Sequence, residues 1–145
     1  MTYKIISIIA YLFAVLGLFF LYENNYLISK NPLIIIIQIL SLALMLWARI
    51  TFGFRSFHAA ANTTRGHLVT NGPYRWFRHP IYASLIYFSF ACVIAYPFFE
   101  TIVSFILISG GLLVRIMIEE KFLLVTYKEY EAYSETAKRI IPFLF

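Results

Sequence analysis

Charge is scarce in this chain. Only 13% of its 145 residues are charged, while 61% are hydrophobic, and no aspartate occurs among the seven acidic residues. Soluble domains carry about a quarter charged residues, so this balance points to an integral membrane protein. There is a single cysteine, Cys92, which excludes an intramolecular disulfide and a thiolate metal cage. His58, His67 and His79 lack the i,i+4 spacing of a helical zinc site, so no metal site is expected. The chain also lacks GxGxxG, GxxxxGK[ST] and GxSxG, which argues against a Rossmann nucleotide domain, a P-loop and a serine hydrolase. A channel or transporter would need polar residues at mid-membrane, and the spans carry almost none.

The chain has long apolar runs instead. Spans are expected at about 5–22, 32–48, 80–97 and 101–118, in a single domain over 1–145. The first exceeds a signal-peptide core of about 7–15 residues and is read as a retained span. Pro32 and Pro80 suit the first turn of a helix. Pro97 is placed to turn the chain with Phe98, Phe99 and Glu100. The segment after Lys121 mixes Phe122, Leu123, Val125 and tyrosines with charges, as an amphipathic surface helix does. A short interfacial helix near Ile50–Ala61 is a weaker expectation. The fold class is therefore all-α, a membrane bundle of about four helices with a loop and a C-terminal amphipathic helix on one side.

Eleven of the twelve lysines and arginines fall at the N-terminus, in the 49–80 loop or after residue 114; Lys30 alone lies in an opposite connection. By the positive-inside rule both termini and the 49–80 loop are cytoplasmic, in a multi-pass protein. Topology thus explains the net charge of +5 better than nucleic-acid binding does.

Two clusters carry candidate chemistry. Leu68–Tyr82, LVTNGPYRWFRHPIY, combines a turn at Thr70–Pro73 with Tyr74, Trp76, Phe77 and Tyr82 around Arg78 and His79. Aromatic walls with a few polar groups suit a ligand that is part cation and part flat ring. An interfacial belt of Trp, Tyr and Arg is the competing reading. Arg115 and Glu119 share a helix face, and ionisable groups at membrane depth are candidates for function. A snorkelling arginine paired with Glu119 accounts for them equally well.

The order of these motifs is specific. Leu68–Tyr82, then R-I-M-I-E-E from Arg115 to Glu120, then Tyr130, Tyr133 and R-I-I-P from Arg139 to Pro142 resemble the isoprenylcysteine carboxyl methyltransferase family, membrane enzymes related to phospholipid methyltransferases. The resemblance covers roughly residues 66–142, with site regions at 66–82 and 115–142. It implies S-adenosylmethionine as cofactor, bound without a Rossmann domain. Leu68, Val69, Tyr74, His79, Pro80, Ile81 and Tyr82 would line that cofactor and Glu119 would close it. Arg115 would be catalytic, holding a lipid or lipidated acceptor.

Carboxyl O-methylation of the isoprenylcysteine type is the leading expectation. Phospholipid headgroup N-methylation and a non-enzymatic lipid-binding scaffold are the alternatives. A lateral route for the acceptor is expected between the third and fourth spans, where Gly110 and Gly111 would leave room. The chain departs from the family where a histidine often stands, at Gly66, with His67 one step later. It also departs at Tyr127–Lys128 and at Ala137–Lys138.

Overall fold

A computed structural model describes residues 2–53 and 67–142. Among the described residues the architecture comprises α1 Thr2–Glu23, α2 Pro32–Phe52, α3 Pro80–Ala95, α4 Phe99–Thr126 and α5 Tyr130–Thr136, with a 3-10 turn at Gly72–Arg75 between α2 and α3. Among the described residues the only β-type pairing is an isolated bridge between Phe77 and Lys138.

Among the described residues three helices are long and apolar enough to cross a membrane: α1, α2 and α4. The expected third span is the 16-residue α3, about 24 Å long and hence shorter than the ~30 Å hydrocarbon core. It ends at Ala95 because Pro97 follows the cap residue Tyr96. The turn into α4 is Tyr96–Phe98, one residue earlier than its composition suggests. There the Thr101 hydroxyl meets the carbonyls of Tyr96 and Phe98 and accepts the Phe98 N–H. Helix α4 does not stop at 118. Glu119, Glu120, Lys121, Phe122 and Leu123 are tolerated in helices, so it runs on to Thr126, and the separate C-terminal helix shrinks to α5. The expected interfacial helix at Ile50–Ala61 falls largely outside the described residues; its start, Ile50–Phe52, is the end of α2.

The helices pack in the order α1, α4, α3, α2, each leaning on the next. Small residues set the α1–α4 crossing. A Cβ on Gly111 would stand 2.3 Å from the Ala10 carbonyl oxygen, and one on Gly17 would stand 2.7 Å from the Ser104 carbonyl oxygen. Close backbone approach of this kind is how membrane helices associate when apolar burial offers little gain over lipid. Ala14, Leu21, Ala83, Ile86, Ile108, Leu112 and Ile116 form the buried core beside it. The outer flanks of α1 and α2 remain apolar and exposed, with Leu12, Phe19, Leu40 and Ile50 among them. Lipid contact explains those flanks in an integral membrane protein.

Polar side chains inside the bundle are spent on the connections. Asn31 caps α2, its Oδ1 accepting the Leu33 N–H at 3.0 Å, with Pro32 following. Gln38 reaches back from α2, donating to the Leu27 carbonyl at 2.8 Å and accepting the Ser29 N–H at 3.1 Å. Asn25 takes φ +58° after α1, a left-handed conformation that asparagine tolerates at helix ends.

Candidate active site

The ionisable side chains gather at one end of the bundle. There the start of α1 meets the end of α4, with Tyr3 edge-on to Phe122 at 6.4 Å. The end of α2 meets the 3-10 turn, with Phe52 against Tyr74 at 5.5 Å and Trp47 against Trp76 at 6.0 Å. The two clusters seen in the sequence therefore share one end, as their order along the chain requires.

Pro80 fixes the first turn of α3, which puts His79 at its N-cap and Tyr82 one turn in. Arg115 and Glu119 face them from α4. Tyr82 donates its hydroxyl to Glu119 Oε1 at 2.5 Å; Arg115 donates Nε to the Tyr82 oxygen at 3.1 Å and Nη2 to Glu119 Oε1 at 3.1 Å. The second carboxylate oxygen, Glu119 Oε2, lies 3.7 Å from His79 Nδ1. The His79 ring stacks on Tyr82 at 5.8 Å with planes 10° apart. Arg115 is 2% exposed. A charge buried that deeply is tolerable only when it is paired and hydrogen-bonded, and Tyr82 and Glu119 satisfy both conditions.

A second carboxylate anchors the rim. Glu120 pairs with Arg78 Nη1 at 3.2 Å and with Arg139 Nε at 3.0 Å, and His79 Nε2 lies 3.5 Å from it, outside hydrogen-bond geometry. The main chain closes the same seam: Arg78 N–H donates to the Lys138 carbonyl at 2.6 Å, His79 N–H to that of Arg139 at 3.1 Å, and Lys138 N–H to that of Trp76 at 3.1 Å. Tyr133 from α5 donates its hydroxyl to the Tyr74 carbonyl at 2.6 Å, and the Tyr87 hydroxyl donates to that of Ile140. Residues 76–79 are thus held between α4 and the chain after α5. Burial, with the neighbouring Tyr133, pushes the Tyr74 phenol well above its ordinary pKa; burial does the same to Tyr133, and to Tyr130, which it raises to about 12. All three phenols are neutral at physiological pH.

Of the residues picked from the sequence, His79, Tyr82, Arg115 and Glu119 come together in one contact network. Pro80 and Tyr74 are buried beside it, and Ile81 is half-buried on the first turn of α3. Tyr74 lies within electrostatic reach of Glu119. Leu68 and Val69 are half-buried on the segment that leads into the 3-10 turn. Gly66, the edge of the first site region, lies outside the described residues. Gly111 does not open a route between α3 and α4, because the Ala10 carbonyl of α1 fills the space where its side chain would stand. Gly110 alone faces open space.

Two contributors escaped the sequence reading. Glu120 stands in the sequence as the last residue of the Arg115–Glu120 motif, with nothing to mark it as the ion-pair centre for Arg78 and Arg139. Tyr11, on α1, covers the Arg115 guanidinium with its ring centroid 5.2 Å from Cζ. A cation–π contact between separate helices has no local signature, although an aromatic residue in an apolar run at the right depth is a faint one.

The described residues thus form an all-helical bundle with a paired arginine, a tyrosine and two carboxylates gathered at one end. The sequence model of the isoprenylcysteine carboxyl methyltransferase (ICMT) family matches residues 32–125, about two thirds of the chain, and the protein belongs to that family. It is by that membership a membrane methyltransferase. Neither a curated protein nor a solved structure matches the chain. The match takes in α2, α3 and nearly all of α4; α1 and the Tyr130–Pro142 segment lie beyond it.

Proposed function

We propose that the protein uses S-adenosylmethionine to methylate a lipophilic acceptor at the membrane surface, and that the acceptor group is a carboxylate of the isoprenylcysteine type. The observation that carries this reading is the Arg115–Tyr82–Glu119 network, which joins the two family motifs in one buried cluster. The distribution of lysine and arginine supports a cytoplasmic position for both termini and the 49–80 loop.

The residues fit the cofactor's chemistry. Glu119 is an anion for its ammonium group, with Oε2 outside the bonds that Tyr82 and Arg115 make to Oε1. The parallel faces of His79 and Tyr82 suit a sulfonium or a purine. His79 would offer an imidazole N–H to the ligand carboxylate, with its Nε2 side 3.5 Å from Glu120. When bound, the cofactor supplies an electrophilic methyl group.

The chain's own residues then hold and exclude. Glu119 fixes Arg115, and Arg115 presents a guanidinium to the acceptor carboxylate, with a planar fork that lysine cannot copy. A carboxylate acceptor is ionised at neutral pH and needs no general base. Orientation in a dry site supplies up to ~7–11 kcal/mol of the barrier reduction in favourable cases. Apolar core residues behind Arg115, Leu112 and Ile116 among them, exclude water from that side.

Titration of the detergent-solubilised protein with S-adenosylhomocysteine tests the reading. Binding by the wild type that Glu119→Gln and Tyr74→Ala both weaken is the expected result; no binding by the wild type refutes it. Label transferred to a carboxylate is base-labile and releases methanol. Base-stable label would move the acceptor to a phospholipid amine.

A further inference from the structure

Arg115 is approached by aromatic rings from two different helices. The ring of Tyr82, on α3, lies 5.7 Å from Cζ, and its hydroxyl joins the donor-side network with Glu119. The ring of Tyr11, on α1, lies closer, at 5.2 Å. Tyr11 is 42% exposed on the outer flank of α1, whereas Arg115 beneath it is 2% exposed. Helices α1 and α3 each lean on α4 without packing extensively on one another. Arg115 thus lies between two rings, the donor-side Tyr82 from α3 and Tyr11 from α1.

What brings Tyr11 there is the neighbouring residue. The Ala10 carbonyl occupies the side-chain space of Gly111, one helical turn before Arg115. A larger residue at 111 would hold α1 off and carry Tyr11 away from the guanidinium. The same contact closes the route past Gly111, and Tyr11 is the exposed side chain that α1 sets over Arg115.

We propose that Tyr11 is an acceptor-specificity residue: its ring fixes the Arg115 guanidinium from the bilayer side, and its exposed flank is the surface along which the acceptor's apolar chain lies. The inference rests on the proposed carboxyl methylation. A lipid with an anionic head and a long tail places its head at Arg115 and its tail in the bilayer, and Tyr11 is positioned at the junction of the two. The ring face attracts the cation, and the amphipathic phenol is at home where apolar and polar surroundings meet. Helix α1 lies outside the residues 32–125 that the family match covers, so this wall is one the chain supplies from a segment of its own.

The experiment measures methyl transfer by detergent-solubilised wild type, Tyr11→Phe, Tyr11→Trp and Tyr11→Leu to S-prenylated cysteine in two chain lengths. S-adenosylhomocysteine affinity is measured for every variant. Tyr11→Leu is expected to raise acceptor KM about two- to thirtyfold, the range that loss of a cation–π contact spans, with donor-analogue affinity unchanged. Tyr11→Phe keeps the ring and is expected to restore KM, and Tyr11→Trp to change the preference between the two chain lengths. The donor-analogue affinity also certifies that each variant is folded. An active Tyr11→Leu with wild-type KM for both chain lengths overturns the inference alone. Loss of donor-analogue affinity in parallel with KM also overturns it, because Tyr11 would then support the bundle and not the acceptor. A wild type that binds no S-adenosylhomocysteine overturns the proposed function and this inference together.

Discussion

Two adjacent glycines on α4 should respond to the same substitution with opposite signs. Gly111→Ala puts a methyl group where the Ala10 carbonyl oxygen stands 2.3 Å away, with Ala10 C and Ala14 N both at 3.3 Å. Every one of those atoms is backbone, so no rotamer change can relieve the clash. The α1 helix must back away by roughly 1 Å, judged against an ordinary carbon–oxygen contact of about 3.3–3.6 Å. Overpacking of this kind costs about 1–3 kcal/mol, less the ~0.5–1 kcal/mol that replacing a helical glycine by alanine returns. A Cβ on Gly110 meets nothing within 4 Å, so Gly110→Ala should show the favourable propensity effect alone.

Thermal unfolding in detergent, with and without S-adenosylhomocysteine, reads both variants. Gly110→Ala should match or exceed the wild-type midpoint, and Gly111→Ala should fall below it. Gly111→Ala should also lose methyl transfer by more than its stability loss explains, because lifting Ala10 carries Tyr11 off Arg115. A Gly111→Ala protein as stable as Gly110→Ala would refute the α1–α4 crossing, and the position of Tyr11 with it.

Arg115→Lys should leave a folded protein with methyl transfer lowered by at least tenfold, since an ammonium cannot bridge Tyr82 and Glu119 in the plane of one fork; methyl incorporation alongside circular dichroism checks this. Tyr133→Phe removes the hydroxyl that holds the Tyr74 carbonyl at 2.6 Å, worth about 0.5–1.5 kcal/mol, and should weaken S-adenosylhomocysteine binding modestly in calorimetry. Glu120→Gln leaves Arg78 and Arg139 without their carboxylate, and should increase proteolytic cleavage around residues 76–79 and 138–140 while α1–α4 stay protected. Tyr130 has a folded-state pKa of about 12 against an ordinary 10. The unfolded chain therefore loses that proton first, and the stabilisation present below pH 10 is lost as pH rises toward 12. Midpoints measured over that window should fall less steeply in Tyr130→Phe.

The long helices were legible because hydrophobic length and proline placement are local properties: Pro32 and Pro80 start α2 and α3 as their positions imply. The grouping of Arg115 with Glu119 was legible for a similar reason, since i,i+4 spacing is a fact of the helix. Their contact with His79 and Tyr82 followed from motif order and the shared end of the bundle. Gly110 and Gly111 were not separable, because adjacent residues on a helix point about 100° apart and only the position of α1 decides which one is filled. Continuation of α4 through Lys121 to Thr126 was hidden for a different reason. Hydropathy marks where a helix leaves apolar surroundings, not where its hydrogen bonds end. The seam from Trp76–His79 to Lys138–Arg139 leaves no trace in either segment, since each reads alone as loop.

That seam has a consequence for the order of assembly. It joins stretches about sixty positions apart, and the intervening chain is the α3–α4 hairpin together with α5. Closing it before that hairpin is in place would fix a long loop at an entropic cost that no nearby contact offsets. His79 and Arg78 are therefore expected to be locked late, after the α3–α4 hairpin has formed. A chain whose helices are already packed can then still have an open site.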